Sequence, residues 1–84
     1  MLSIEVRYFA NLREALGKGE SVTLPAGSCV GTLRDLLIAR GGRHAEVLAR
    51  GRAVRCALDQ AMCDEATPLH ADAEVAFFPP VTGG

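Results

Sequence analysis

The stretch of sequence that decides the fold is EVAFFPPVTGG, residues 74–84. Its first five residues are mostly apolar and predict a strand over residues 74–78. Pro79-Pro80 then ends the strand, because proline has no N–H to donate to a neighbouring strand. Beyond the prolines, Gly83-Gly84 predicts a thin, flexible tail, since a residue without Cβ adopts backbone angles closed to other residues. We therefore expect a small folded domain that carries a short tail at its C-terminus.

Hydrophobic periodicity predicts the elements that precede this strand. In chain order they are a strand over residues 2–9, a helical turn over 11–16, a strand over 21–24, a helix over 30–40, a short helical segment over 44–49, a strand over 52–58 and a short strand over 61–63. Asn11 and Ser28 are the predicted N-caps of the first helical turn and of the main helix. The main helix has one apolar side, so we expect it to pack across one face of a mixed sheet in an α+β arrangement.

Composition argues against two classes of partner. The 84 residues carry a net charge of −1, whereas nucleic acids and anionic membranes select basic surfaces. No stretch approaches the roughly 18 apolar residues of a membrane span, and the charged first residues do not resemble a signal peptide. The arginines are predicted to lie on a solvated surface; they include Arg13, Arg34, Arg40, Arg43, Arg50, Arg52 and Arg55. We therefore expect one cytoplasmic domain with no nucleic-acid or membrane partner.

Few residues have the spacing of a catalytic or metal site. His44 and His70 lie in polar segments without an obvious carboxylate or nucleophile partner. Cys56, Cys63 and His70 are spaced in a way that fits no common zinc pattern, so neither a metal nor a bound cofactor is expected. These two cysteines and Cys29 are predicted to be free thiols in a reducing compartment. The remaining chemical group is the terminal carboxylate of Gly84, which is unreactive until a better leaving group replaces its oxide.

The chain resembles the small, sulfur-carrying subunit of molybdopterin synthase, the MoaD family. The resemblance rests on the stretch 74–84, on Tyr8-Phe9-Ala10 and Arg13-Glu14 near the start, and on Asp59-Gln60. It covers nearly all of the chain. It implies a β-grasp, ubiquitin-like fold over residues 1–80, with a mixed sheet whose first and last strands are parallel neighbours at the centre. Residues 81–84 would then form the flexible C-terminal tail.

The resemblance also implies a reaction at the tail. An ATP-dependent adenylating enzyme would activate Gly84, and a sulfurtransferase would convert it to a thiocarboxylate. The tail would then enter the large subunit of molybdopterin synthase and donate sulfur to cyclic pyranopterin monophosphate, within a heterotetramer. Gly83 would provide clearance, and Val81 and Thr82 would contact the channel. The large subunit would supply most catalytic side chains, and ATP would bind the adenylating enzyme rather than this chain.

The implied strand order predicts a core and a partner surface. The predicted core comprises Leu2, Ile4, Val6, Tyr8, Val75 and Phe77 of the sheet and Leu33, Leu36 and Leu37 of the main helix. The opposite face of the sheet would carry Phe9 and Phe78, with Met62 as a neighbour and Pro79-Pro80 at its edge. Because no second helix remains to cover them, we expect these residues to bind a partner.

Three alternatives remain open at this point. A ThiS-like sulfur carrier for thiazole or another thiolated product would share the tail chemistry and differ in its partner. A ubiquitin-like protein modifier would instead join Gly84 to lysine side chains of other proteins. An interaction module with an unused tail would need neither reaction.

Overall fold

The structure is a computed structural model that describes residues 1–80. The predictions for Val81, Thr82, Gly83 and Gly84 lie outside these residues. In chain order the elements are β1 (Leu2–Tyr8), α1 (Ala10–Leu16), β2 (Gly19–Leu24), α2 (Val30–Ile38), α3 (Gly42–Leu48), β3 (Arg55–Leu58), β4 (Ala61–Cys63) and β5 (Glu74–Phe78). Every predicted element is present, although several begin or end at a different residue. Within the described residues, no helix is long and apolar enough to cross a membrane.

The sheet is built around a parallel pair formed by its first and last strands. The strand order is β2-β1-β5-β3-β4, so β5 is hydrogen-bonded on both sides, while β2 and β4 form the edges. β1 and β5 run parallel, with Val6 opposite Val75 and Tyr8 opposite Phe77, and the other strand pairs are antiparallel. This topology confirms the predicted α+β, β-grasp arrangement.

All three helices contribute to a single core on one face of the sheet. The buried residues of this core include Ile4, Val6, Tyr8, Leu12, Leu33, Leu37, Leu48, Val75 and Phe77. The predicted core is confirmed except at its margin, where Leu2 and Leu36 are only partly buried. The other face of the sheet is left for side chains that meet solvent or a partner.

The main helix begins one residue later than its predicted cap allows. Cys29, not Ser28, is the N-cap residue of α2, and its N–H donates to Thr32 Oγ1 at 3.2 Å. Ser28 is buried, and its hydroxyl donates to the carbonyl of Pro25 at 2.7 Å instead. The cause is a long-range contact, because Cys29 is held extended by an isolated antiparallel bridge to Pro68. The preference of serine for N-cap positions is a local effect, so it cannot predict a helix start that a long-range contact decides.

Helix α1 also has a different N-cap from the one predicted. Phe9 occupies this position, and Asn11 lies inside the helix. The N–H of Phe9 donates to the carbonyl of Phe77 at 3.1 Å, so the chain stays bonded to the sheet for one residue beyond β1. The helix starts where this bonding stops, and Asn11 comes too late in the chain to cap it.

Arg34 does not lie on the solvated surface that its charge predicts. Its residue surface is only 4% exposed. The guanidinium donates to the carbonyls of Leu48 at 2.8 Å, Ala49 at 2.7 Å and Arg52 at 3.2 Å, and to the Glu65 carboxylate at 2.6 Å. A buried charge is tolerated here because its donors are satisfied. The backbone that supplies these carbonyls wraps around the guanidinium, so β3 begins later than predicted.

Gly19 is a position where the sheet has no room for a side chain. It lies opposite Arg7 in the pairing of β1 with β2, and an added Cβ would come within 2.1 Å of the Val6 carbonyl oxygen. We expect Gly19→Ala to lower the free energy of unfolding by about 2 kcal/mol, because one strand must move to relieve the clash. Urea unfolding followed by circular dichroism measures this change.

The matched control is Gly51→Ala, since nothing lies within 4 Å of a Cβ built at this exposed residue. Its free energy of unfolding should stay within about 0.5 kcal/mol of the parent value. Equal destabilisation by the two substitutions would contradict the close approach at Gly19.

Candidate functional site

The face of the sheet that the helices leave uncovered is here called the open face. Because side chains alternate along a strand, the open face takes those that do not point into the core. They are Ser3, Glu5 and Arg7 of β1, Ser21 and Thr23 of β2, Arg55 and Ala57 of β3, Met62 of β4, and Glu74, Ala76 and Phe78 of β5.

One half of the open face, over β1 and β2, is polar and paired within itself. The Ser21 hydroxyl donates to the Glu5 carboxylate at 2.6 Å. Arg7 Nε lies 3.4 Å from a carboxylate oxygen of Glu74. These polar groups already have partners, so this half offers little apolar area to a second protein.

The other half, over β5, β3 and β4, carries a group of apolar side chains together with the charged Glu74 and Arg55. Its apolar residues Phe9, Ala57, Met62, Ala76 and Phe78 are here called the apolar patch. The register of the strands places Ala76, Ala57 and Met62 side by side. Phe9 follows β1 directly, and its N–H donates to the carbonyl of Phe77, the residue before Phe78. Met62 is 63% exposed and Phe9 is 45% exposed. Large apolar side chains grouped on an exposed face are typical of a partner surface.

The apolar patch lies at the end of β5, where the chain leaves the sheet. Phe78 ends β5, and the partly buried Pro79-Pro80 follows directly. Since β5 is the central strand, the chain leaves the sheet from a strand that is held on both sides. The structure thus brings Phe9, Phe78 and the two prolines together, while Met62 lies two strands away on the same face. Their binding of a partner stays a prediction.

Arg55 lies on the solvated surface that its charge predicts, but its place beside the apolar patch is not predicted. It lies opposite Phe78 in the pairing of β3 with β5, it is exposed, and it makes no ion pair within residues 1–80. The sequence does contain a signal for this position. If Cys56 and Leu58 face the core, alternation along the strand places Arg55 and Ala57 on the open face. A cation beside the apolar patch favours a partner that presents an acidic group there.

Both histidines contact carboxylates, contrary to the expectation from the sequence. His44 Nε2 lies 3.2 Å from the Glu20 carboxylate, which also accepts a hydrogen bond from the Tyr8 hydroxyl at 2.9 Å. His70 Nε2 lies 2.6 Å from the Asp59 carboxylate. Each contact joins residues from different elements or loops, so the local polarity of the sequence does not reveal it.

The pair of Asp59 and His70 fixes the start of the central strand. Asp59 accepts a hydrogen bond from the N–H of Glu74 at 3.0 Å, and His70 Nδ1 faces the carbonyl of Ala71 at 2.9 Å. The Ala71 carbonyl and then the Asp59 carboxylate raise the pKa of His70, because both ring nitrogens face acceptors. The N–H of Glu74, followed by His70, lowers the pKa of Asp59. Over residues 1–80, no group of three or more His, Cys, Asp or Glu side chains is arranged to hold a metal ion.

The strand order, with helices packed on one face of a mixed five-stranded sheet, defines a small β-grasp domain of the ubiquitin-like class. The chain belongs to the ThiS family, whose family model matches residues 6–84. This match and the relatives that follow confirm the resemblance drawn from the sequence.

One relative and two solved structures cover nearly the whole chain. The chain is 37% identical over 81 residues to the molybdopterin synthase sulfur carrier subunit of Escherichia coli (strain K12). The matched segment covers 96% of this chain and 99% of the relative. A putative molybdopterin converting factor, subunit 1, from Pyrococcus furiosus is 26% identical, with a TM-score of 0.74 over 96% of this chain and all of its own. SAMP1, the small archaeal modifier protein 1 of Haloferax volcanii, is 25% identical, with a TM-score of 0.78 over 98% of this chain and 99% of its own.

The His70 pair predicts a defined dependence of stability on pH. A raised pKa of His70 stabilises the fold at pH values below its unfolded pKa of about 6.5, and this contribution is lost as the pH rises through the folded pKa. A lowered pKa of Asp59 stabilises the fold above about pH 3.9, and this contribution is lost as the pH falls through the folded pKa. The pair should therefore contribute most between about pH 4 and 6.5.

An NMR titration of the His70 ring protons tests this prediction. We expect the parent His70 to titrate above its ordinary pKa, and Asp59→Asn to shift the titration towards that value. Asp35→Asn, which removes a carboxylate bound to Arg50 instead, should leave the His70 titration unchanged. An identical His70 pKa in the parent and in Asp59→Asn would contradict the pairing.

Proposed function

We propose that this chain is the sulfur-carrier subunit of a molybdopterin synthase. The observation that carries the proposal is the 37% identity, over nearly the full length of both chains, to the sulfur carrier subunit of that enzyme in Escherichia coli. The likeness to subunit 1 of a putative molybdopterin converting factor supports the same role. The Gly83-Gly84 sequence would supply the tail that such a carrier needs, and the apolar patch would supply its docking surface.

The reacting atom in this proposal is the carboxylate carbon of Gly84. A carboxylate resists attack because it is negatively charged and oxide is a poor leaving group. Transfer of AMP from ATP to this carboxylate releases pyrophosphate and provides AMP as the leaving group. The terminal sulfur of a persulfide then displaces AMP and forms an acyl disulfide. A thiol attacks the other sulfur of this acyl disulfide, so that a new disulfide forms and the thiocarboxylate leaves. The thiocarboxylate sulfur is the nucleophile that attacks the pterin precursor in the large subunit.

The folded domain provides the surface by which the partner enzymes recognise the chain. Its tail must visit the adenylating enzyme and the large subunit in turn, and both must recognise the same small domain. The apolar patch at the base of the tail is the surface we assign to this recognition. Arg55 beside Phe78 adds a charge that selects a partner with an acidic group at the corresponding position.

A ubiquitin-like protein modifier is a second candidate, which the likeness to small archaeal modifier protein 1 favours. This role uses the same activated Gly84 but transfers it to a lysine amine instead of exchanging oxygen for sulfur. Covalent conjugates in native cells that disappear when Gly84 is deleted would favour this candidate over the sulfur carrier.

Removal of Gly83-Gly84 should abolish sulfur loading. With ATP, the adenylating enzyme and a persulfide donor, we expect the parent chain to gain the mass difference between sulfur and oxygen. A chain that lacks both glycines, or that carries one extra residue after Gly84, should show no such gain. Gly51→Ala is the control, because Gly51 lies in the loop before β3 and not at the C-terminus. This variant should gain sulfur as the parent chain does. Intact-mass spectrometry measures the loading, and molybdopterin synthesis by a truncated chain at the parent rate would overturn the proposal.

Substitutions in the apolar patch should weaken binding without unfolding the domain. We expect Met62→Ser or Phe78→Ser to raise the Kd for the large subunit by about tenfold or more, because each removes apolar area from the proposed contact. Thr23→Ala, on the polar half of the same face, should leave the Kd within about twofold. Isothermal titration calorimetry measures the Kd, and urea unfolding measures the stability of each variant. Loss of binding that only parallels loss of stability would count against the apolar patch.

A further inference from the structure

Cys56 and Cys63 form a cross-strand pair that the proposed sulfur chemistry does not use. They are directly opposite each other in the pairing of β3 with β4, and their Sγ atoms are 3.6 Å apart. Both are free thiols. Cys56 is buried at 5% exposure, whereas Cys63 is partly buried near the sheet edge.

The geometry is close to that of a disulfide. Bond formation requires the Sγ atoms to approach to about 2.05 Å and the Cβ atoms to about 3.5–4.5 Å. Directly opposite residues of an antiparallel pair already have Cβ atoms about 4.5–5.5 Å apart. β4 has three residues and lies at the sheet edge, so it can approach β3 without disturbing the central strand. Cys56 is held in place by its pairing with Phe77 on the other side.

We propose that Cys56 and Cys63 are a reversible oxidation site that reacts with a low-molecular-weight disulfide to form an intramolecular disulfide. The inference rests on the contact between the two thiols and does not depend on the sulfur-carrier role. Cys63 reacts first because it is the more accessible of the two. Burial raises the pKa of Cys56 to about 12, which keeps this thiol protonated and unreactive towards solutes at neutral pH.

The reaction proceeds by two exchanges. Cys63 loses its proton to water, and its sulfur attacks one sulfur of the small disulfide; the S–S bond of the small disulfide breaks and one small thiolate leaves. Cys56 Sγ then attacks Cys63 Sγ, the bond to the second small thiol breaks, and the Cys56 proton passes to the departing thiolate. Two protein thiols are oxidised by two electrons, and one small disulfide is reduced to two thiols. Excess small thiol reverses both steps.

The expected consequence is a locked β3–β4 hairpin. This hairpin carries Met62, the most exposed residue of the apolar patch, on β4 next to Cys63. A bridge that closes this short loop restricts the unfolded chain, and we expect the Tm to rise by roughly 5–15 °C on oxidation. Cys29 has no such neighbour, because its Sγ contacts Thr32 Oγ1 at 3.4 Å.

The test uses the full chain with Cys29→Ser, which removes the competing thiol. After incubation with oxidised glutathione under native conditions, we expect intact-mass spectrometry to show the loss of two hydrogens and peptide mapping to join Cys56 to Cys63. The Tm should rise by the amount given above, and dithiothreitol should return both the mass and the Tm to their starting values.

Single-cysteine variants in the same background test the order of the steps. With Cys56→Ser, the mixed disulfide of glutathione with Cys63 should accumulate, since no second thiol resolves it. With Cys63→Ser, no adduct should form in the folded state. Cys56→Ala replaces Cys56→Ser if the latter proves unfolded by circular dichroism. A persistent glutathione adduct when both cysteines are present, or an intramolecular disulfide that forms only in denaturant, would overturn the proposal.

Discussion

The parallel pairing of β1 with β5 is the constraint on which the rest of the structure depends. These strands come from opposite ends of the chain, and their register puts Val6 beside Val75 and Tyr8 beside Phe77 in the core. The same register brings Phe9 and Phe78 together on the opposite face. A one-residue slip would exchange the two faces, because side chains alternate along a strand. The buried core therefore holds the exposed apolar residues in their positions near the end of β5.

The helices all lie on one side of this strand pair, so the open face is left uncovered by the helices. Its polar half is satisfied by contacts among its own side chains, such as Ser21 with Glu5. Its apolar half has no equivalent, and Met62 and Phe9 remain exposed. Large apolar side chains that stay exposed on one face are typical of a partner surface, which is why the proposed function assigns recognition to the apolar patch.

Contacts between distant segments join the helices and loops to the sheet. Arg34 joins α2 to the segment before β3 through three backbone carbonyls, and the pair of Asp59 and His70 holds the start of β5. Neither group lies on the open face. The division of roles in the proposed function follows from this arrangement, since the globule supplies position and recognition and Gly84 supplies the reacting group.

The sequence by itself determined the elements that local chemistry controls. Alternation predicts β1 and β5, the prolines predict where β5 ends, and the stretch 74–84 identifies the family. Tertiary structure alone decided that Cys29 caps α2, that Arg34 is buried, and that Cys56 touches Cys63. Each of these depends on residues far apart in the sequence, such as the bridge of Cys29 to Pro68 or the carbonyls around Arg34. Periodicity and capping preferences describe a residue and its near neighbours in the chain, so they contain no information about contacts that exist only after the sheet has formed.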